Sequence, residues 1–147
     1  MLYTPLTCQA LLLAYQAHQG QFDPCGMPYV FHPFHLAEQM DDEAAVCVAL
    51  LHDVVEDTPV TLEALAAQFP PEVVEAVRCL THGDDEDYEA YLARVKANPL
   101  ALKVKRADLK HNMDETRHCT GKVPPERVAK WRAKYQRAAA LLGDADS

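Results

Sequence analysis

At 147 residues the chain is long enough for one sizeable core, and with 49% hydrophobic residues and five glycines no segment reads as low complexity or disorder. Its formal net charge of −8 argues against general nucleic-acid binding, and no apolar run approaches the roughly 20 residues that span a bilayer. The charge is uneven: residues 1–99 carry three basic and sixteen acidic side chains, residues 100–147 eleven and six. The acidic part is therefore suited to a cation and the basic part to an anionic substrate, although solvated helix faces give the same pattern.

Nearly every segment carries helix signals. Thr4 as N-cap and Pro5 at N1 open a helix that Gly20 closes after Gln19. Asp23-Pro24 and Gly26 make residues 21–29 a loop. Pro33 starts a short helix over 32–40, and Asp41-Asp42-Glu43 suits the N-terminus of a central helix over 44–57. Thr61 caps a helix reaching Phe69, and Pro70-Pro71-Glu72 opens another to Leu80. The acidic turn 83–87 leads into a helix over 88–96, Asn98-Pro99 begins one reaching Met113, and after a loop at Thr120-Gly121 the last helix follows Pro124-Pro125 to Leu142. No period-2 strand pattern or repeat stands out, so the chain reads as one all-α domain over residues 1–147.

The N-terminus lacks the basic, apolar and small-residue pattern of a signal peptide. The five cysteines are far apart with no Cys-x-x-Cys pair, which predicts mostly reduced thiols in a cytoplasmic protein rather than zinc knuckles. The oligomeric state, homo-oligomers included, stays open.

The chemistry concentrates in His52-Asp53-Val54-Val55-Glu56-Asp57 at the end of the central helix. At about 100° per residue, Glu56, Asp53 and Asp57 all fall within about 140° of His52. Ala45 and Ala49 share that sector and leave room above the acids, while Cys47, Val48, Leu50, Leu51, Val54 and Val55 fill the opposite side. Gathered acids repel one another unless something positive sits among them, which points to a metal ion. His32, held before a helix by Pro33, and Asp108, one turn before Asn112 and on one face with Lys105, complete a set of two imidazoles and two carboxylates. Such a mixed nitrogen and oxygen set suits Mn²⁺, Fe²⁺, Co²⁺ or Zn²⁺ without selecting one. His35 competes with His32 as a ligand by spacing, whereas His18, His82, His111 and His118 read as packing or surface residues.

The order His32 … His52-Asp53 … Asp108 resembles that of HD-domain metal-dependent phosphohydrolases. More closely, Ala17-His18-Gln19-Gly20-Gln21, Pro28-Tyr29-Val30-Phe31-His32-Pro33, Leu50-Leu51-His52-Asp53-Val54-Val55-Glu56-Asp57-Thr58 and Lys105-Arg106-Ala107-Asp108-Leu109-Lys110-His111-Asn112 resemble blocks of the RelA/SpoT-type (p)ppGpp hydrolase domain. The resemblance implies an HD-type helical bundle around one Mn²⁺ held by His32, His52, Asp53 and Asp108. It implies Glu56 and Asp57 acting on the attacking water, and Asn112 near the nucleotide or its phosphates. The reaction it implies is release of pyrophosphate from the 3′ position of guanosine tetra- or pentaphosphate, by a small stand-alone hydrolase.

One loop departs from the pattern. Where relatives that hydrolyse (p)ppGpp typically carry an Arg-Lys pair against the nucleotide, this chain reads Asp23-Pro24. An acid near a polyanion replaces attraction with repulsion, which Lys105, Arg127 and Lys130 are placed to offset. The run Asp84-Asp85-Glu86-Asp87 adds repulsion if it faces the pocket and none if it is a solvated helix entry. Either Trp131 or Tyr135 lines the pocket, depending on the register of the last helix. Two other functions fit the same residues: an HD-type nucleotidase or phosphodiesterase on another phosphorylated small molecule, and a nucleotide-binding module without turnover.

Overall fold

Side-chain caps set four of the nine α-helix starts among the described residues. In a computed structural model, which describes residues 1–118 and 122–143, α1 spans Pro5–Ala17 behind a reciprocal cap. The Thr7 amide donates to Thr4 Oγ1 at 3.1 Å, and the Thr4 amide to Thr7 Oγ1 at 2.7 Å. Gly20, at φ +84°, turns the chain away. A loop with a single bridge between Phe22 and Pro28 leads to α2, Phe31–Glu38. Pro33 falls inside its first turn, where backbone N–H groups have no intrahelical partner to lose. Asp42 caps α3, Glu43–Leu51, by accepting the Ala45 amide at 2.8 Å.

The central helix is shorter than its sequence pattern predicts. It stops at Leu51, and a separate turn α4, Val54–Asp57, follows. Between them Asp53 takes φ −105°, ψ −1°, outside the helical well. The side chain of Asp53 makes no capping bond and points sideways to Tyr29 instead. Tertiary contacts therefore override a helix-favouring run. Nor is α3 amphipathic: every residue from Ala45 to Leu51 is buried, including the two alanines expected to leave space over the acids. A helix buried on all sides needs apolar residues on all sides, and α3 packs against α1, α2, α6 and α8 at the centre of the core.

The remaining helices follow the predicted order. They are α5, Leu62–Ala66, capped by Thr61; α6, Pro71–Leu80; α7, Tyr88–Ala97; α8, Pro99–Asn112, capped by Asn98; and α9, Pro125–Leu142. A 3₁₀ turn over Glu115–His118 has no counterpart in the sequence reading. Among the described residues the fold is all-α, with α9 laid across α7 and α8, and no helix is long and apolar enough to cross a membrane. Cys8, Cys47 and Cys79 are free thiols, Cys8 exposed and the other two buried, whereas Cys25 is disulfide-bonded. Cys119 and the expected loop at Thr120-Gly121 lie outside the described residues.

Candidate metal centre

Three segments bring the chemistry together: the first turn of α2 supplies His32, the break after α3 supplies His52 and Asp53, and α8 supplies Asp108. His32, His52 and Asp108 are buried. Nε2 of His32 lies 2.8 Å from Asp108 Oδ1, and Nε2 of His52 lies 3.0 Å from Asp53 Oδ2 and 3.5 Å from Asp108 Oδ1. Ligand atoms of His32, His52 and Asp53 all fall within 4.8 Å of one another. His35 sits outside this cluster, its ring 4.0 Å from that of His111, so geometry selects His32.

The surroundings of His52 suit a cation. Nδ1 lies 2.6 Å from the carbonyl oxygen of Ala49, and a carbonyl only accepts, so Nδ1 carries the proton. Nε2 is buried, has no hydrogen-bond partner among the described residues, and faces two carboxylates. A divalent cation satisfies all three groups at once, and the Nδ1–H bond to backbone is the usual way a ligating imidazole is oriented. Without an ion a proton takes its place. Burial opposes a charged His52, but Asp53 and Asp108 hold its pKa well above the usual imidazole value. Burial likewise opposes the charge on Asp108, and Lys105 together with the two imidazoles keeps its carboxyl well below the carboxylate range.

Neighbouring groups fix the carboxylates. The Tyr29 hydroxyl donates to Asp53 Oδ2. Lys105 Nζ donates to Asp108 Oδ2 at 3.1 Å and Asn112 Nδ2 to Asp108 Oδ1 at 3.1 Å. Lys105 is thus a partly buried counter-ion of Asp108, with its Nζ 5.3 Å from the centre of the Tyr91 ring.

Glu56 and Asp57 project from α4 so that they and Asp53 again place oxygens within 4.8 Å of one another. Glu56 Oε1 accepts the His82 amide at 2.7 Å. Burial raises the pKa of Glu56, and burial, then Asp53 and Glu56, push Asp57 up to about 6. The end of α4 is tied to the first motif: Gln21 Nε2 donates to the Asp57 carbonyl at 2.8 Å, and Gln21 Oε1 meets His18 Nδ1 at 2.8 Å. On the other side, Arg94 Nη2 donates to the Thr81 carbonyl at 2.9 Å and Arg94 pairs with Glu86, fixing the loop that presents the His82 amide. Asp84 and Asp85 of the acidic run are exposed, and none of the run lines the cavity beside the metal centre.

That cavity, about 220 Å³, opens beside His32 and Tyr29 and is walled by Asn112 and Arg117, by the rings of His118, Trp131 and Tyr135, and by Asp23 and Pro24. Trp131 and Tyr135 therefore both line it. Asp23 is tied to its own loop, Oδ1 accepting the amides of Cys25 and Met27 at 2.9 Å each. Arg117 Nη1 donates to the His111 carbonyl at 3.2 Å and to Asn112 Oδ1 at 3.3 Å. Arg127 is exposed and lies 5.7 Å over the Trp131 ring, one side chain removed from the cavity, and Lys130 is exposed.

Residues 10–119 match the family model of the HD domain. The chain belongs to the HD-domain family. It is 34% identical over 117 residues to guanosine-3′,5′-bis(diphosphate) 3′-pyrophosphohydrolase of Haemophilus influenzae, an alignment covering 69% of this chain and 17% of that protein. To the bifunctional (p)ppGpp synthase/hydrolase SpoT of Escherichia coli K12 it is 33% identical over 120 residues, covering 71% of this chain and 17% of the relative. To a probable GTP pyrophosphokinase of Mycobacterium leprae it is 36% identical over 135 residues, with 83% and 17% covered. The chain thus spans about one sixth of the length of these curated relatives. A solved structure described as a metazoan ortholog of SpoT that hydrolyzes ppGpp superposes with a TM-score of 0.81 at 24% identity, covering 97% of this chain and 88% of that one, and shows the same fold.

Within this HD domain three residues at the site carry no role that the sequence alone assigns. Tyr29 stood in a quoted motif with no role, although a tyrosine three residues before a ligand on a helix start is within reach of the same site. His111 reads from sequence as a packing or surface residue. Arg117 comes from the 3₁₀ turn, which carries no periodic signal and gave no reason to single it out.

Proposed function

We propose that the protein is a metal-dependent phosphohydrolase acting on a phosphorylated nucleotide, with guanosine 3′,5′-bis(diphosphate) as substrate and Mn²⁺ as the ion. The observation that carries this reading is the buried Nε2 of His52 facing the carboxylates of Asp53 and Asp108 beside His32 Nε2. The names of the similar proteins support the substrate class.

His32, His52, Asp53 and Asp108 would hold the ion. Bound there, a divalent ion lowers the pKa of a water towards neutrality and draws charge from a phosphoryl oxygen. Glu56 and Asp57 stand on the open side of Asp53 and take the proton of the attacking water, Glu56 aimed by the His82 amide. Both have raised pKa values, which suits acceptors working near neutrality. Lys105 acts through Asp108, keeping it ionised and its Oδ1 turned to the site. The rings of Trp131 and Tyr135 offer a base a stacking wall, and Arg117 offers a phosphate a guanidinium. Water adds to phosphorus, the bond from that phosphorus to the 3′ oxygen breaks, and the 3′ oxygen takes up the proton that Glu56 or Asp57 accepted, so that pyrophosphate and guanosine diphosphate are the products.

Asp23 in the cavity wall favours a second reading, an HD-type nucleotidase or phosphodiesterase on a less highly phosphorylated substrate. An assay of phosphate and pyrophosphate release across a nucleotide panel, with and without Mn²⁺, decides. Metal-dependent pyrophosphate from guanosine 3′,5′-bis(diphosphate) is the expected result. Release from a different nucleotide alone establishes the second reading, and binding without release points to a nucleotide-sensing module.

A further inference from the structure

The ligand His32 has a partner on its far side that the proposed chemistry leaves unused. Nδ1 of His32 and Nδ1 of His111 are 2.8 Å apart. The two ring planes differ by 2° and the centroids are 5.0 Å apart. That separation is what two rings laid edge to edge across such a hydrogen bond give, so the imidazoles are coplanar and the N–H···N bond runs along the lone-pair direction. The ring of His35 covers one face of His111, with centroids 4.0 Å apart and planes inclined by 27°. On the main-chain side Arg117 donates to the His111 carbonyl at 3.2 Å. His111 is thus held by side chain and backbone alike.

We propose that His111 is the positioning residue for the ligand His32, its Nδ1 accepting the Nδ1–H of His32 so that Nε2 of His32 is left bare and turned to the ion. The inference rests on the metal centre proposed above. One proton fits between two Nδ1 atoms, so one ring donates and the other accepts. When His111 donates, the proton of a neutral His32 is on Nε2 and points at Asp108 Oδ1, 2.8 Å away. When His32 donates, Nε2 is free to ligate. His111 serves both arrangements with no change of net charge, because an imidazole can present either a donor or an acceptor at Nδ1. A carboxylate, the commoner partner of a ligating imidazole, can only accept.

Calorimetric titration of Mn²⁺ into the metal-free full chain tests this. His111→Phe keeps a flat ring beneath His35 and removes the acceptor, while His111→Asn places an amide oxygen close to the Nδ1 position. We expect His111→Phe to weaken Mn²⁺ binding about 10- to 100-fold and His111→Asn to stay within about threefold of wild type, with metal-free melting temperatures unchanged. Wild-type affinity in His111→Phe overturns the inference, as does an equal loss in both variants, which would show that an acceptor at the Nδ1 position does not restore binding. Should a variant fail to fold, the wild type itself decides: a ¹⁵N–¹⁵N coupling across the hydrogen bond between His32 and His111 in the Zn²⁺-loaded protein is expected, and its absence overturns the proposal. A wild type that takes up neither ion overturns the metal centre along with it, whereas ion binding that His111→Phe leaves intact overturns this inference alone.

Discussion

Glu56 and Asp57 are adjacent in sequence and close in space, yet their environments separate them. Glu56 is fixed by the His82 amide, while the Asp57 side chain has no hydrogen bond to a described residue and carries the larger upward shift, to about 6. Glu56→Gln keeps the shape and the amide contact but cannot take a proton. We expect Mn²⁺ affinity close to wild type and kcat lower by about 100-fold or more; metal titration beside a product-release assay reads both, and full turnover would remove Glu56 from the reaction. Asp57 makes a pH-dependent prediction for the metal-free protein. Its folded pKa, about 6, lies above the ordinary 3.8, so the protonated carboxyl contributes stability that is complete below the ordinary value and lost as pH rises through the folded one. Asp57→Asn should therefore gain stability relative to wild type as pH climbs between those values and hold that gain above them. Melting curves across that range check the sign.

The element that determines the site is the break between α3 and α4. Helix starts were legible in the sequence because caps are local: Thr4-Pro5, Asp42, Thr61 and Asn98-Pro99 each mark a boundary that the structure reproduces. The break was not, because nothing local forbids helix through His52-Asp53. It arises from Tyr29 holding Asp53 from another segment. Periodicity still grouped acids that the structure brings together, since a turn of helix before the break and one after it keep Asp53, Glu56 and Asp57 within reach of one another. The loop after α6 is a second element whose shape matters to the site. Arg94 braces it through the Thr81 carbonyl and Glu86, and Tyr91 does so through the Leu80 carbonyl at 2.9 Å. Arg94→Met should lower kcat about 10- to 100-fold by loosening the His82 amide from Glu56, with Mn²⁺ affinity unchanged. Equal loss of metal binding would show instead that the whole centre had shifted.

Across the whole molecule, the cavity lies where the acidic N-terminal part meets the basic C-terminal part. Asp23 and Pro24 come from the loop after α1, and Arg117, Trp131 and Tyr135 from the final third. The sequence named the loop as the place where recognition departs from the family pattern, and Asp23 does stand in the wall. Trp131 and Tyr135, four residues apart, share one helix face, but sequence left open which face of the last helix meets the cavity, and the packing of α9 on α7 and α8 turns both inward. Because Asp23 opposes an incoming polyanion, Asp23→Lys should lower KM for a polyphosphorylated nucleotide roughly 5- to 10-fold at low salt, an advantage that fades as ionic strength rises. A KM indifferent to the change would place the substrate phosphates away from this loop.

His32 and Asp108 meet at 2.8 Å across 76 residues of chain, and that separation orders events during synthesis. The growing polypeptide exposes His32, His52 and Asp53 to cellular metal long before α8 has left the ribosome, and an incomplete set of ligands holds an ion weakly. On the proposed ligand set, stable loading would wait for the segment that also supplies Lys105, His111 and Asn112, so that the ion, its counter-charge and the orientation of its ligands would arrive in one step. Ribosome-bound chains halted before α8 should release Mn²⁺ readily, and chains halted after it should keep it.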